Sequence, residues 1–121
     1  VDIRQSTSEN SLIQSIATNI HGAGVVLGQP VTNWRELDIP SAKCELKLDG
    51  VSVGTGQGSD VNGHPVEPMI WIAKTLNAMG GSLKKGDIVI TGSMIPPIEV
   101  KPGMKAALQM DLLGEITLDV E

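Results

Sequence analysis

Lys43–Pro65 reads KCELKLDGVSVGTGQGSDVNGHP. Its first half is the clearest strand–turn–strand signal in the chain. Leu46 and Leu48 alternate with polar residues up to Asp49-Gly50, and Val51 and Val53 alternate after it. An Asp-Gly pair suits a two-residue type I′ turn, which needs positive φ at both central residues, so a hairpin is expected. Cys44 shares the alternation with Leu46 and Leu48, and core packing is its expected role. The second half sets Gly54, Gly56, Gly58 and Gly63 ahead of a helix-like run. Glycine-rich turns before helices often cradle phosphates, but this one fits neither phosphate template. Gly58 follows Gly56 too soon for G-x-G-x-x-G, and no Gly-Lys-Ser/Thr triplet occurs. The glycine track is expected to let the backbone approach another segment closely, or to bulge away from the sheet.

Downstream, HPVEPMIWIAKTLNAMGG predicts a helix over Pro65–Met79, with Met69, Ile70, Ala73 and Leu76 as its buried stripe. Proline is tolerated in the first turn, where its missing N–H does no harm, and Gly80-Gly81 ends the run. DIVITG, KAALQMDL and GEITLDV then read as strands, the first preceded by a turn at KKG. SMIPPIEVKPG is a proline-bearing loop. Upstream, Leu12, Ile13, Ile16, Ala17 and Ile20 recur at helical spacing, which predicts a helix over Glu9–Ile20. Ser6 and Glu9 have the spacing of a capping box. Ala23–Gly28, AGVVLG, reads as a short buried strand, and Trp34 as an anchor for the loop that follows. Strands outnumber helices, so the class is α+β: a curved mixed β-sheet or β-roll with two helices.

The chain has 121 residues, 40% of them apolar, and no Phe or Tyr, so aliphatic and Met side chains must fill the core. Its formal charge of −5 argues against a nucleic-acid partner, which needs a basic footprint. No apolar run reaches membrane-spanning length, and no signal peptide is seen. A single cysteine rules out an internal disulfide framework and fits a reducing, cytoplasmic setting. The first residue is Val, which points to a processed or cut chain.

Catalytic motifs are absent. His21 and His64 stand far apart without partners at ligand spacing, and Asp119 with Glu121 reads as the solvated face of a strand. There is no G-x-S-x-G elbow, and Ser59 reads as a polar loop residue. No metal site is predicted from these residues.

Several segments nevertheless resemble one family in order and spacing. They are Gly63-His64-Pro65 opening the helix, WIAKTL, LKKGDIVITGS, the proline loop, VKPG and LLGEITLDV. With VDIR and SIATNIHGAGVVLGQP upstream, the chain is similar to the C-terminal part of the 2-keto-4-pentenoate hydratase family, within the fumarylacetoacetate hydrolase superfamily. The resemblance implies a fumarylacetoacetate hydrolase C-terminal-domain-like fold. Residues 1–121 would be the C-terminal portion of a single hydratase-like domain, truncated at its N-terminus.

Family members hold Mg²⁺ or Mn²⁺ on three carboxylates, all of which would lie before Val1, so no metal is expected on this chain alone. The implied reaction is water addition to a 2-hydroxydienoate or its 2-keto tautomer in aromatic-compound breakdown. A 4-oxalocrotonate-type 2-oxo acid decarboxylase is the alternative within the family, and a non-catalytic binding or self-association domain the alternative outside it. The resemblance makes Thr91, Gly92 and Ser93 a substrate-contacting turn, with Gly56 beside them, where hydroxyl and backbone N–H groups suit a carboxylate or enolate oxygen. His21 stands where related hydratases carry a serine. It is the candidate proton relay, or a helix C-terminal residue favoured by the dipole. His64 is expected to pin its turn by hydrogen bonds. Apolar sheet surface left uncovered by a half-domain predicts a homo-oligomer.

Overall fold

The computed structural model describes Gly22 and residues 24–121. The expected helix over Glu9–Ile20 lies outside the described residues. The chain forms β1 (Lys43–Leu48), β2 (Val51–Gln57), α1 (Val66–Ala78), β3 (Lys105–Met110) and β4 (Gly114–Asp119), with short 3-10 turns at Trp34–Glu36, Ile39–Ser41 and Gly58–Asp60. The four strands make one sheet in the order β2-β1-β3-β4. The class is α+β.

The hairpin β1–β2 turns where expected. Asp49 and Gly50 take φ of 49° and 82°, the positive pair that a type I′ turn demands. Asp49 also ties the turn to β3: its N–H donates to the Lys105 carbonyl at 2.9 Å, and its Oδ1 accepts from the Lys105 N–H at 2.8 Å. The alternation of Val51 with Val53 does not survive. A bulge between Leu46 and Lys47 pairs them with Gly54 and Ser52, which leaves Val53 without an opposite residue.

Every strand pair is antiparallel, in place of the expected mixed sheet. The two runs that would have extended it, AGVVLG and Asp87–Gly92, carry no ladder among the described residues. Both are apolar enough for a strand, but a strand also needs a partner's N–H and C=O groups, and here Ile88 and Ile90 are 58% and 73% exposed.

Opposite residues in a ladder share a face of the sheet. One face therefore carries Gly56, Cys44, Met110 and Gly114 in one row, and Gly54, Leu46, Leu108 and Ile116 in the next. The other carries Thr55, Glu45, Gln109 and Glu115. The first face is the core side. Ala42, Cys44, Leu48 and Val61 form its buried centre, and Cys44 has its expected packing role.

Helix α1 matches its expected span. The His64 Nδ1 accepts the Val66 N–H at 3.1 Å and the His64 carbonyl accepts the Glu67 N–H at 2.9 Å, so His64 pins the turn into the helix as anticipated. At the other end Gly80, at φ 80°, lets the Gly81 N–H return to the Leu76 carbonyl at 2.8 Å. The predicted buried stripe is only partly buried. Ala73 and Leu76 are half-buried, while Met69 and Ile70 are 40% and 41% exposed, because among the described residues no second layer closes over the helix. No helix among the described residues is long and apolar enough to cross a membrane.

Candidate functional site

The glycine-rich stretch Gly54–Pro65 divides between the sheet and the connection to the helix. Strand β2 runs through to Gln57, and only then does a 3-10 turn at Gly58–Asp60 lead toward α1. Asp60 locks that turn: the Gln57 N–H donates to its Oδ2 at 2.8 Å, and its own N–H donates to the Gln57 side chain.

The glycine track has the close-approach role expected of it. A Cβ on Gly54 would stand 2.5 Å from Ile95 Cγ2. One on Gly56 would run into the Met94 carbonyl, 2.9 Å from its carbon, and one on Gly58 would run into the Ile39 carbonyl. The loop after Ser93 and the turn at Ile39–Pro40 thus lie directly on the backbone of β2 and its extension. Beneath Met94 sits Cys44, with Sγ 4.0 Å from Met94 Sδ. Burial pushes the Cys44 thiol above the ordinary thiol range, the nearby Asp60 charge adding to the effect while the Gly56 backbone acts against it. The thiolate is the nucleophilic form, so this setting makes Cys44 a packing residue.

Thr91, Gly92 and Ser93 are consecutive, yet they face different spaces. Gly92 takes φ 142°, and a Cβ there would stand 3.0 Å from Val61 Cγ1. Gly92 and Ser93 line a cavity of about 340 Å³ together with Met94–Ile98, Cys44, Leu46 and Leu108. Thr91 lines a second cavity, of about 580 Å³, between α1, the Val31–Trp34 loop and β3–β4. Leu108 borders both cavities. The larger one is walled by Trp34, Val66, Met69, Leu108, Met110 and Ile116, and Gln29 and Thr91 are its polar side chains apart from the Trp34 indole. No charged side chain lines either cavity among the described residues. The Arg35 guanidinium lies 4.4 Å from the Trp34 ring centroid and steadies that wall.

Gly56 does not join Ser93 in its cavity. It lines a third space, of about 630 Å³, with Lys43, Glu45, Thr55, Gln57 and Gln109. There Glu45 is held below the ordinary carboxylate range by hydrogen bonding to Ser52, and next by Lys47, whose Nζ is 3.1 Å from Glu45 Oε2. His21 lies outside the described residues. Gln29 had no signal in the sequence: a lone amide in a proline-flanked loop is unremarkable until the fold sets it beside Thr91. Among the described residues no three His, Cys, Asp or Glu come together to hold a metal ion.

No family model matches the chain. Curated relatives do. It is 29% identical over 118 residues to a 2-hydroxyhexa-2,4-dienoate hydratase of Comamonas testosteroni, covering 98% of this chain and 45% of the relative. It is 28% identical over 109 residues to a 2-keto-4-pentenoate hydratase of Paraburkholderia xenovorans, covering 90% and 40%. A 4-oxalocrotonate decarboxylase of Pseudomonas putida is 24% identical over 117 residues, covering 97% and 44%. Among solved structures, 4-oxalocrotonate decarboxylase from P. putida G7 superposes with a TM-score of 0.67 at 24% identity, over 72% of this chain and 34% of that one. That enzyme has been solved with calcium and acetate, and with magnesium and adipate. Over nearly its whole length the chain is thus similar to a C-terminal part of fumarylacetoacetate-hydrolase-like proteins, among them 2-keto-4-pentenoate hydratases. It spans less than half the length of the curated relatives it matches.

Proposed function

We propose that the chain forms one wall of the substrate site of a 2-keto-4-pentenoate hydratase, which adds water to a 2-hydroxydienoate with a neutral hydrocarbon tail. The observation that carries this reading is the Thr91–Ser93 segment. Thr91 lines one and Ser93 the other of two adjoining cavities whose described linings are otherwise mostly apolar and without charge. Small-molecule sites have this character, apolar walls with a few placed polar groups. Ser93 and the nearby backbone N–H groups would orient the acid end. The tail would lie against Trp34 and Met69, and the apolar walls would keep bulk water from the diene.

The uncharged lining also favours the hydratase over the decarboxylase. 4-Oxalocrotonate carries a second carboxylate at its far end. Moving an ion out of water without a partner costs several kcal/mol, and among the described residues the lining of the larger cavity includes no Lys or Arg to offset it. A divalent cation would supply charge stabilisation in the whole enzyme. No described residue set holds one, so the chain alone is expected to bind a 2-oxo acid weakly and to show no dienol turnover with added Mg²⁺ or Mn²⁺.

Calorimetric titration tests both parts. 2-Oxopentanoate should bind about 100-fold more tightly than 2-oxoglutarate, the ratio that roughly 2.7 kcal/mol of desolvation would give. Equal or reversed affinities would overturn the neutral-tail reading. Metal-dependent loss of dienol absorbance with the purified chain would show that a carboxylate set assembles on it after all.

A further inference from the structure

We infer that Gly56 is a positioning residue for Ser93: its missing side chain fixes how closely the Ser93–Ile98 segment sits on the sheet, and hence where the Ser93 hydroxyl stands. The inference rests on the reading of Ser93 as a ligand contact. Gly56 cannot itself meet a ligand from the core side of the sheet, because the Met94 carbonyl covers it there. A methyl group at Gly56 would lie 2.9 Å from the Met94 carbonyl carbon and 3.0 Å from Met94 Cβ. The obstructing atoms include backbone, so no rotamer change relieves the overlap and the segment has to lift. At Gly54 the first obstruction is softer, the side-chain carbon Ile95 Cγ2 at 2.5 Å, with Ile98 Cδ1 at 3.6 Å.

Two features carry a lift at Met94 to its neighbour Ser93. Pro96 and Pro97 fix φ on the far side of Met94. On the near side Gly92 packs close to Val61, whose Cγ1 would stand 3.0 Å from a Cβ built there. Ser93 lies between that glycine and the lifted carbonyl, so the displacement reaches it first. Errors of about 1 Å in the placement of a contacting group can cost on the order of 100-fold in function, which makes so small a displacement measurable.

The test uses ¹⁵N-labelled wild type, Gly54→Ala, Gly56→Ala, Ser93→Ala and the Gly54→Ala/Ser93→Ala double variant. Without ligand, the Ser93 and Met94 amide resonances should move in Gly54→Ala and move further in Gly56→Ala, with the β3–β4 resonances unchanged. Gly54→Ala keeps the comparison open if Gly56→Ala does not fold. Unmoved Ser93 and Met94 resonances in a folded variant would overturn the inference. With 2-oxopentanoate, Gly54→Ala should weaken binding about 3- to 10-fold, and Ser93→Ala should then cost little more, since interacting positions are non-additive. Additive losses would overturn the inference, because a merely structural defect would not couple to the Ser93 hydroxyl. Failure of the wild type to respond to 2-oxopentanoate at Gly92 and Ser93 would instead sink the ligand-site reading. The ligand-free displacement would still decide whether Gly56 positions Ser93.

Discussion

The β2 side of the molecule and the α1 side are both built from small or apolar residues, yet one is closed and the other open. Around β2, Ala42, Cys44, Leu48 and Val61 are all 8% exposed or less. On α1, Met69, Ile70 and Trp71 are 40%, 41% and 65% exposed. Hydrophobicity does not separate the two, since the open side carries the larger side chains. The difference is what lies on top. Glycines at 54, 56 and 58 let the Met94–Ile98 segment and the Ile39–Pro40 turn come down onto the backbone. Nothing comparable covers the outer face of α1 among the described residues. In a small domain, where burial is hard to obtain, a missing side chain can specify packing as firmly as a large one.

Gly58→Ala should break the closed side with the largest effect. The new methyl would collide with the Ile39 carbonyl, and would stand 3.1 Å from Pro40 Cα. Relief requires moving backbone that also carries the Gly58 N–H bond to the Ala42 carbonyl, 2.9 Å long. Overpacking of this kind costs about 3 kcal/mol, readable as a lowered urea midpoint. Trp71→Ala on the open side is the matching control and should stay within about 0.5 kcal/mol, as for an exposed residue. A large, concentration-dependent loss for Trp71→Ala would show that another copy covers the open side in solution, in keeping with the homo-oligomer we propose for the exposed apolar surface.

A smaller effect is expected where the closed side hands over to α1. His64→Ala removes the Nδ1 acceptor of the Val66 N–H and should cost about 1 kcal/mol, the usual magnitude for a helix-start cap. His64→Asn, which keeps an acceptor of similar reach, should recover most of it. Thermal melts of the three proteins side by side measure the pair. Equal losses for Ala and Asn would mean that the imidazole works by packing.

Local signals were legible, and contacts between distant segments were not. Asp49-Gly50 carried its turn type because positive φ at both positions is a local demand. Strands β3 and β4 and the span of α1 were readable for a similar reason, as period and end signals within a dozen residues. Val53 was misread because a bulge depends on the partner strand's register. Ile88 and Ile90 lie in an apolar run after a turn, a strand-like pattern that says nothing about a hydrogen-bonding neighbour. At the candidate site, the resemblance pointed to Thr91, Gly92 and Ser93. That Thr91 and Ser93 line different cavities, and that Gly56 lies under Met94, could be seen only in three dimensions.

The smallest expected effect tests the interior of the closed side through Cys44. Burial raises its folded-state pKa above the ordinary thiol value of 9.0. The unfolded chain, with the thiol in water, gives up that proton first as pH rises. Stability attributable to the neutral thiol is therefore fully present below about pH 9 and is lost progressively as pH climbs toward and through the raised folded value. The urea midpoint should be level around neutral pH and fall as pH rises past the ordinary thiol value. Cys44→Ala should begin from a lower midpoint, because it leaves a small cavity, and should lose less over the alkaline interval than wild type does. Alkylation of the native protein at pH 8 should likewise be much slower than that of the urea-unfolded chain, since the thiolate is the reacting form. Rapid native alkylation, or equal alkaline slopes in wild type and Cys44→Ala, would mean that water reaches Cys44 past Met94 and that the closed side is looser than its glycine contacts imply.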